Sequence, residues 1–159
     1  MFSVIIPAYN SENTIEKALD SLRNQTKPEL IREVIVINDG SADATADKVE
    51  QYKKRESCNL NIILYNQQNA GVAAARNAGI RMATADYLAF LDSDDWLNCD
   101  AIQILVKSYQ EHPGYLIGAK PTFVSEQEQC SCISDSVDKE CAAVVLSQHD
   151  ALMNTDTDY

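Results

Sequence analysis

The chain has 159 residues, and its 13 Lys and Arg against 24 Asp and Glu leave a formal net charge of −11. That length suits one domain with a core of its own, and 45% hydrophobic with 23% charged residues excludes a disordered or fibrous chain. The acidic balance argues against a nucleic-acid binder, which neutralises phosphates with Lys and Arg, and no apolar run approaches the roughly 20 residues that cross a bilayer.

The first two-thirds alternates strand and helix signals. Ser3-Val4-Ile5-Ile6 reads as a buried strand halted by Pro7. Ser11 is placed to cap the next helix, where Ile15, Ala18, Leu19 and Leu22 share one apolar face. Val34-Ile35-Val36-Ile37 is a second strand, closed by the turn signal Asn38-Asp39-Gly40-Ser41. A polar helix with Ala46, Val49 and Tyr52 inward is expected after it. A third strand, Ile62-Ile63-Leu64-Tyr65, runs into the polar loop Asn66-Gln67-Gln68-Asn69-Ala70-Gly71. The Ala-rich stretch from Val72 to Ala83 predicts a helix. Tyr87-Leu88-Ala89-Phe90-Leu91 predicts a fourth strand, ending in Asp92-Ser93-Asp94-Asp95. Another helix is expected over about Asp100 to Gln110, with Ile102, Leu105 and Val106 on one face.

Beyond Pro121 the pattern changes. Residues 125–140 are polar and acidic, Cys141 to Leu146 reads as one more strand, and Ser147-Gln148-His149-Asp150 resembles a helix-opening capping box. The five cysteines (Cys58, Cys99, Cys130, Cys132 and Cys141) are odd in number and scattered, so they read as reduced thiols. A metal site from Cys130, Cys132, Cys141 and His149 lacks the tight paired spacing of structural zinc. The start has no basic n-region, so no signal peptide is expected and the expected location is the cytoplasm.

Strand and helix in alternation predict an α/β fold, a mostly parallel sheet with helices on both faces. Ligands of such sheets bind beyond the carboxyl ends of the strands. There this sequence places Pro7-Ala8-Tyr9-Asn10, Asp39-Gly40-Ser41 and Asp92-Ser93-Asp94-Asp95. Carboxylates converging on one crevice call for a cation, and hard oxygen donors suit Mg²⁺ or Mn²⁺. The bland reading is that these acids form turns and cap helices; for Asp39 alone the two readings stand about even. The glycines at 40, 71, 79, 114 and 118 spell neither a dinucleotide fingerprint nor a Walker loop. Arg76, after a glycine in the Ala-rich helix, is the candidate for phosphate charge, with a solvated helix arginine as the alternative. A phosphoacceptor receiver domain is disfavoured, because Tyr9-Asn10 stand where it needs an acidic pair.

These segments, with Asn69-Ala70-Gly71 and Ala75-Arg76-Asn77-Ala78-Gly79-Ile80 between them and Trp96 after them, closely resemble family-2 glycosyltransferases of the Rossmann-like GT-A fold. The four motifs stand in the family's order, and the resemblance is strong from about residue 2 to residue 111. It implies one GT-A domain over 1–159, of which 1–111 is the nucleotide-sugar-binding part and 112–159 an incomplete start of the acceptor side, truncated at the C-terminus. It also implies transfer of a sugar, with inversion, from a UDP-linked donor to a glycan, lipid or protein acceptor. By the same resemblance Pro7, Ala8 and Tyr9 line the nucleobase pocket and Asp39 accepts a hydrogen bond from the base. Arg76 lies near base and phosphates. Asp92-Ser93-Asp94 is the DXD motif, with Asp92 and Ser93 at the nucleotide and Asp94 on Mn²⁺ or Mg²⁺. The family's general base belongs to a later acidic motif and is expected beyond residue 159, so no catalytic base is assigned. The alternative is a nucleotide-sugar-binding fragment or degenerate module with little transfer. A lipid-linked acceptor would place the protein at the inner face of the membrane, with no transmembrane segment and no nucleic acid involved.

Overall fold

The computed structural model describes residues 1–111, together with the backbone of residues 117–118 and 144–147. Its elements in chain order are β1 (Phe2–Ala8), α1 (Ile15–Arg23), β2 (Ile31–Asp39), α2 (Thr45–Lys53), β3 (Ile62–Gln67), α3 (Val72–Met82), β4 (Tyr87–Phe90), α4 (Ala101–Glu111), β5 (Ile117–Gly118) and β6 (Val144–Ser147). Among the described residues the strands form one sheet in the order β3-β2-β1-β4-β6-β5. The first four strands pair in parallel, while β6 runs antiparallel to both β4 and β5.

β1 is buried along its whole length and its side chains alternate between two cores. Phe2, Val4 and Ile6, with Val34 and Val36, face α1 (Ile15, Leu19, Leu22), α2 (Val49, Tyr52) and α4 (Ile102, Leu105). Ile5, Ile35, Ile37 and Leu88 face α3 through Ala75, Ala78 and Ile80. The period of two along the strands thus feeds a layer of helices on each side of the sheet, as the sequence predicts. Each fully buried Ile or Leu contributes about 1.5–3 kcal/mol.

Several local expectations are corrected. Pro7 does not halt β1, because it pairs with Ile37 of β2. The Ile5 carbonyl accepts from Leu91 N–H on the β4 side, and Pro7, two residues on, addresses the same side beyond the last β4 pair, Ile5 with Phe90. Its missing N–H therefore costs no ladder bond. Ser11 does not cap α1 with its side chain. Thr14 holds the N-cap position, and the Ser11 carbonyl takes the N–H groups of Thr14 and Ile15 at 3.0 and 2.9 Å. In α2 the buried set is Thr45, Val49 and Tyr52, with Thr45 in place of Ala46.

The strand expected over Cys141 to Leu146 is present as β6, three residues later in its start. β5, two residues ending in a glycine, carried no strand signal. Residues 125–140, the metal alternative of Cys130, Cys132, Cys141 and His149, and the helix expected after Ser147 lie outside the described residues. Because β2 and β3 extend the sheet on one side of β1 and β4 on the other, the strand order reverses at β1, and a crevice opens at the carboxyl ends there.

Candidate functional site

A cleft of about 700 Å³ occupies that crevice, a size typical of small-molecule sites. Pro7, Ala8 and Tyr9 from the end of β1, Asp39 from the end of β2, and Asp92, Ser93 and Asp94 after β4 all line it. The seven lie together although 85 residues of sequence separate Pro7 from Asp92. Arg76 is not part of the lining and reaches it through Asp92.

Asp39 is only 3% exposed. Its Oδ1 accepts from Gln67 Nε2 at 2.8 Å and from Ala70 N–H at 2.9 Å, and its Oδ2 accepts from Gly71 N–H at 2.9 Å. Burial alone would raise this carboxyl, but the three donors outweigh it and hold the group below its usual range. A carboxylate offers about four acceptor positions, so Oδ2 keeps one open. Gly40 supports this junction. It sits at φ +72°, and a Cβ there would come 2.7 Å from the Asn69 nitrogen, so only glycine lets the turn after β2 press on the 66–71 loop.

Sequence reasoning missed how the two loops beside the cleft are laced together. Asn10 has φ 50°, a left-handed conformation that Asn tolerates. Its side-chain carbonyl accepts from Ala42 N–H at 2.9 Å and its own N–H donates to Ser41 Oγ at 3.0 Å. Ser11 N–H donates to Thr45 Oγ1, Glu12 N–H to Asp43 Oδ2, and Ala44 N–H to Glu12 Oε2. The β1–α1 and β2–α2 loops thereby satisfy each other's backbone donors, which fixes the Pro7–Tyr9 wall against Asp39. Tyr9 itself stays 54% exposed.

On the opposite wall, Arg76 from α3 donates to Asp92 Oδ1 at 2.7 Å. Both side chains are partly exposed, so the pair orients Asp92 more than it stabilises the fold. Arg76 Nε is buried with no hydrogen-bond partner among the described residues, an orphaned donor beside the cleft. Ser93 is buried, and its hydroxyl shares a 2.7 Å hydrogen bond with that of Ser11. Asp94 is exposed in the cleft and has no polar partner among the described residues. Burial, then the charges of Asp94 and Asp92, raise the neighbouring Asp95 carboxyl above its usual range, a sign of crowded negative charge.

Among the described residues no three His, Cys, Asp or Glu side chains form a ready cage for a metal ion. The donor chemistry still fits a hard divalent cation. Mg²⁺ and Mn²⁺ suit oxygen ligands, and Mg²⁺ is typically held by one or two carboxylates together with substrate phosphates. Asp94 is an open carboxylate of this kind. No helix of the described residues is long and apolar enough to cross a membrane.

Comparison with known proteins agrees with this geometry. GlyA of Streptococcus pneumoniae, a glycosyltransferase, is 38% identical over 110 residues, which cover 69% of this chain and 15% of that protein. TarS of Staphylococcus aureus, solved with UDP-GlcNAc, superposes with a TM-score of 0.65 at 32% identity, over 79% of this chain and 37% of that one. The mannosyltransferase PcManGT of Pyrobaculum calidifontis, solved with GDP-Man and Mn²⁺, gives a TM-score of 0.62 at 28% identity, over 74% of this chain and 34% of that one. The chain thus spans well under half the length of each. The sequence pattern of Glycosyl transferase family 2 matches residues 3–129, a stretch that contains the whole cleft, and the chain belongs to that family.

Proposed function

We propose that the chain holds a nucleoside-diphosphate sugar, UDP-linked, in this cleft and serves transfer of the sugar to a hydroxyl of a glycan, lipid or protein acceptor. The observation that carries this reading is a single cleft with complementary chemistry at its two ends. One end has buried Asp39 with one open acceptor position, suited to the lone N3–H of uracil. The other has exposed Asp94, suited to the diphosphate's cation. TarS, solved with UDP and with UDP-GlcNAc, supports the choice of nucleotide, and PcManGT, solved with Mn²⁺, supports the cation.

In this reading Pro7, Ala8 and Tyr9 wall the base, and Arg76 holds Asp92 toward the ribose. Ser93 keeps the loop against Ser11 so that Asp94 stands at the diphosphate. A divalent cation held there by Asp94 would neutralise charge that grows on the departing nucleoside diphosphate. Asp94 would hold that cation against the diphosphate, and an acceptor hydroxyl attacking the anomeric carbon from the face opposite the leaving group would invert that centre, as the resemblance to family-2 glycosyltransferases implies.

A second reading, donor binding without transfer, has one observation in its favour. Of the acids lining the cleft, Asp39 is engaged by three donors and Asp92 by Arg76, and Asp94 is assigned to the cation. None among the described residues remains to take the acceptor's proton. Release of UDP from UDP-linked sugars, measured with and without a glycan acceptor, separates the readings. Acceptor-dependent release supports transfer. Binding without release supports the module, and absence of both binding and release contradicts each.

A further inference from the structure

Asp94 has no polar partner among the described residues, so its place in the cleft is set by the backbone on either side of it. That backbone is anchored to α1 and its lead-in at two points. One residue before Asp94, Ser93 Oγ shares a 2.7 Å hydrogen bond with Ser11 Oγ, and both serines are buried. Two residues after it, the Trp96 ring lies under the ammonium of Lys17, with Nζ 3.2 Å from the ring centroid. Farther along, Gln25 just past α1 donates to the Asn98 carbonyl at 2.7 Å and accepts from Ile102 N–H at 3.0 Å. The stretch from Ser93 to the first turn of α4 is therefore stapled to α1 and the residues flanking it, and α1 itself lends no side chain to the donor chemistry proposed above.

We infer that Ser11 and Lys17 are positioning residues for the cation-binding loop: they hold Ser93 and Trp96 and thereby aim the Asp94 carboxylate at the diphosphate. The inference rests on the donor-binding reading. It predicts a specific pattern, because the loop serves the cation while Asp39 serves the base from another part of the sheet. Loosening the clamp weakens the part of UDP affinity that depends on metal and spares the rest.

The test is calorimetric titration of UDP into the full chain with Mn²⁺ and, separately, with EDTA. Lys17→Gln is expected to lower UDP affinity about three-fold with Mn²⁺, the size of a partly exposed cation–π contact, and to leave it unchanged in EDTA. Lys17→Arg, which keeps a cation over the ring, restores the parent value. Ser11→Ala is expected to cost about five-fold with Mn²⁺, within the range of one hydrogen bond. Trp96 is the chain's single tryptophan, so its fluorescence reports the contact directly and changes in Lys17→Gln but not in Lys17→Arg. An equal loss with and without Mn²⁺, no loss in Lys17→Gln, or no rescue by arginine overturns the clamp. Should Ser11→Ala fail to fold, the Lys17 variants decide alone. A parent chain whose UDP affinity ignores Mn²⁺ overturns the donor-binding reading and the clamp with it, an outcome distinct from a parent that responds to Mn²⁺ while its variants behave identically.

Discussion

Asp39 and Asp94 are both acids at strand ends, and the structure gives them opposite circumstances. Asp39 is buried and engaged, so Asp39→Ala strands the N–H groups of Ala70 and Gly71 and the amide of Gln67. The expected cost is about 2–3 kcal/mol, the penalty for unpaired buried donors, read as a lower urea midpoint. UDP affinity should fall in Mn²⁺ and EDTA alike. Unchanged stability would contradict the loop-holding role, and unchanged affinity would leave Asp39 a turn residue only. Asp94 holds up nothing, so Asp94→Ala should melt at the parent's temperature while losing the metal-dependent share of UDP binding. If that variant binds UDP with Mn²⁺ as well as the parent does, Asp94 is not the cation's ligand. The sequence left Asp39 balanced between turn and ligand chemistry because Asp-Gly-Ser suits both. Only the fold shows that the same carboxylate organises the 66–71 loop while keeping an acceptor free.

At the level of elements, α3 approaches β1 so closely that a Cβ on Gly79 would lie 2.4 Å from Ile5 Cγ2. Gly79→Ala should therefore destabilise by about 1–3 kcal/mol through overpacking, and an unchanged melting temperature would contradict the close contact. At the amino ends of the strands, away from the cleft, buried Glu33 ties β2 to β1 and to the turn before β4. Its Oε1 accepts from Ser3 Oγ, Thr84 N–H and Thr84 Oγ1. Burial raises this carboxyl, but the Ser3 and Thr84 donors, with Arg32 nearby, outweigh it and hold the group below its usual range. A lowered folded pKa stabilises above the unfolded value, about 4.3 for Glu, and that stabilisation fades as pH falls through the folded value. Glu33→Gln should thus be less stable than the parent at neutral pH, with the gap closing below about pH 4. A gap that persists or widens in acid would refute this account. The helices and inner strands were legible because apolar periodicity is a local signal. The misreadings at Pro7, Ser11 and Ala46 share a cause, since each depends on which neighbouring strand or loop the residue faces.

For the whole molecule, the reversal of strand order at β1 gathers Pro7–Tyr9, Asp39 and Asp92–Asp94 into one cleft. The residue types and their places at strand ends were readable in advance. The lacing of residues 10–12 to 41–45, the Arg76–Asp92 pair and the Lys17–Trp96 contact were not, because each joins side chains distant in sequence through polar groups that carry no periodicity. In the reading proposed above, this one cleft takes a nucleotide through base and cation together. Thermal unfolding of the chain with UDP plus Mn²⁺, against UDP with EDTA and GDP plus Mn²⁺, tests it most directly. At about 100 times the dissociation constant, UDP with Mn²⁺ should add roughly 2.7 kcal/mol, with smaller shifts for UDP in EDTA and for GDP. No shift with UDP and Mn²⁺, or equal shifts in all three conditions, would contradict it.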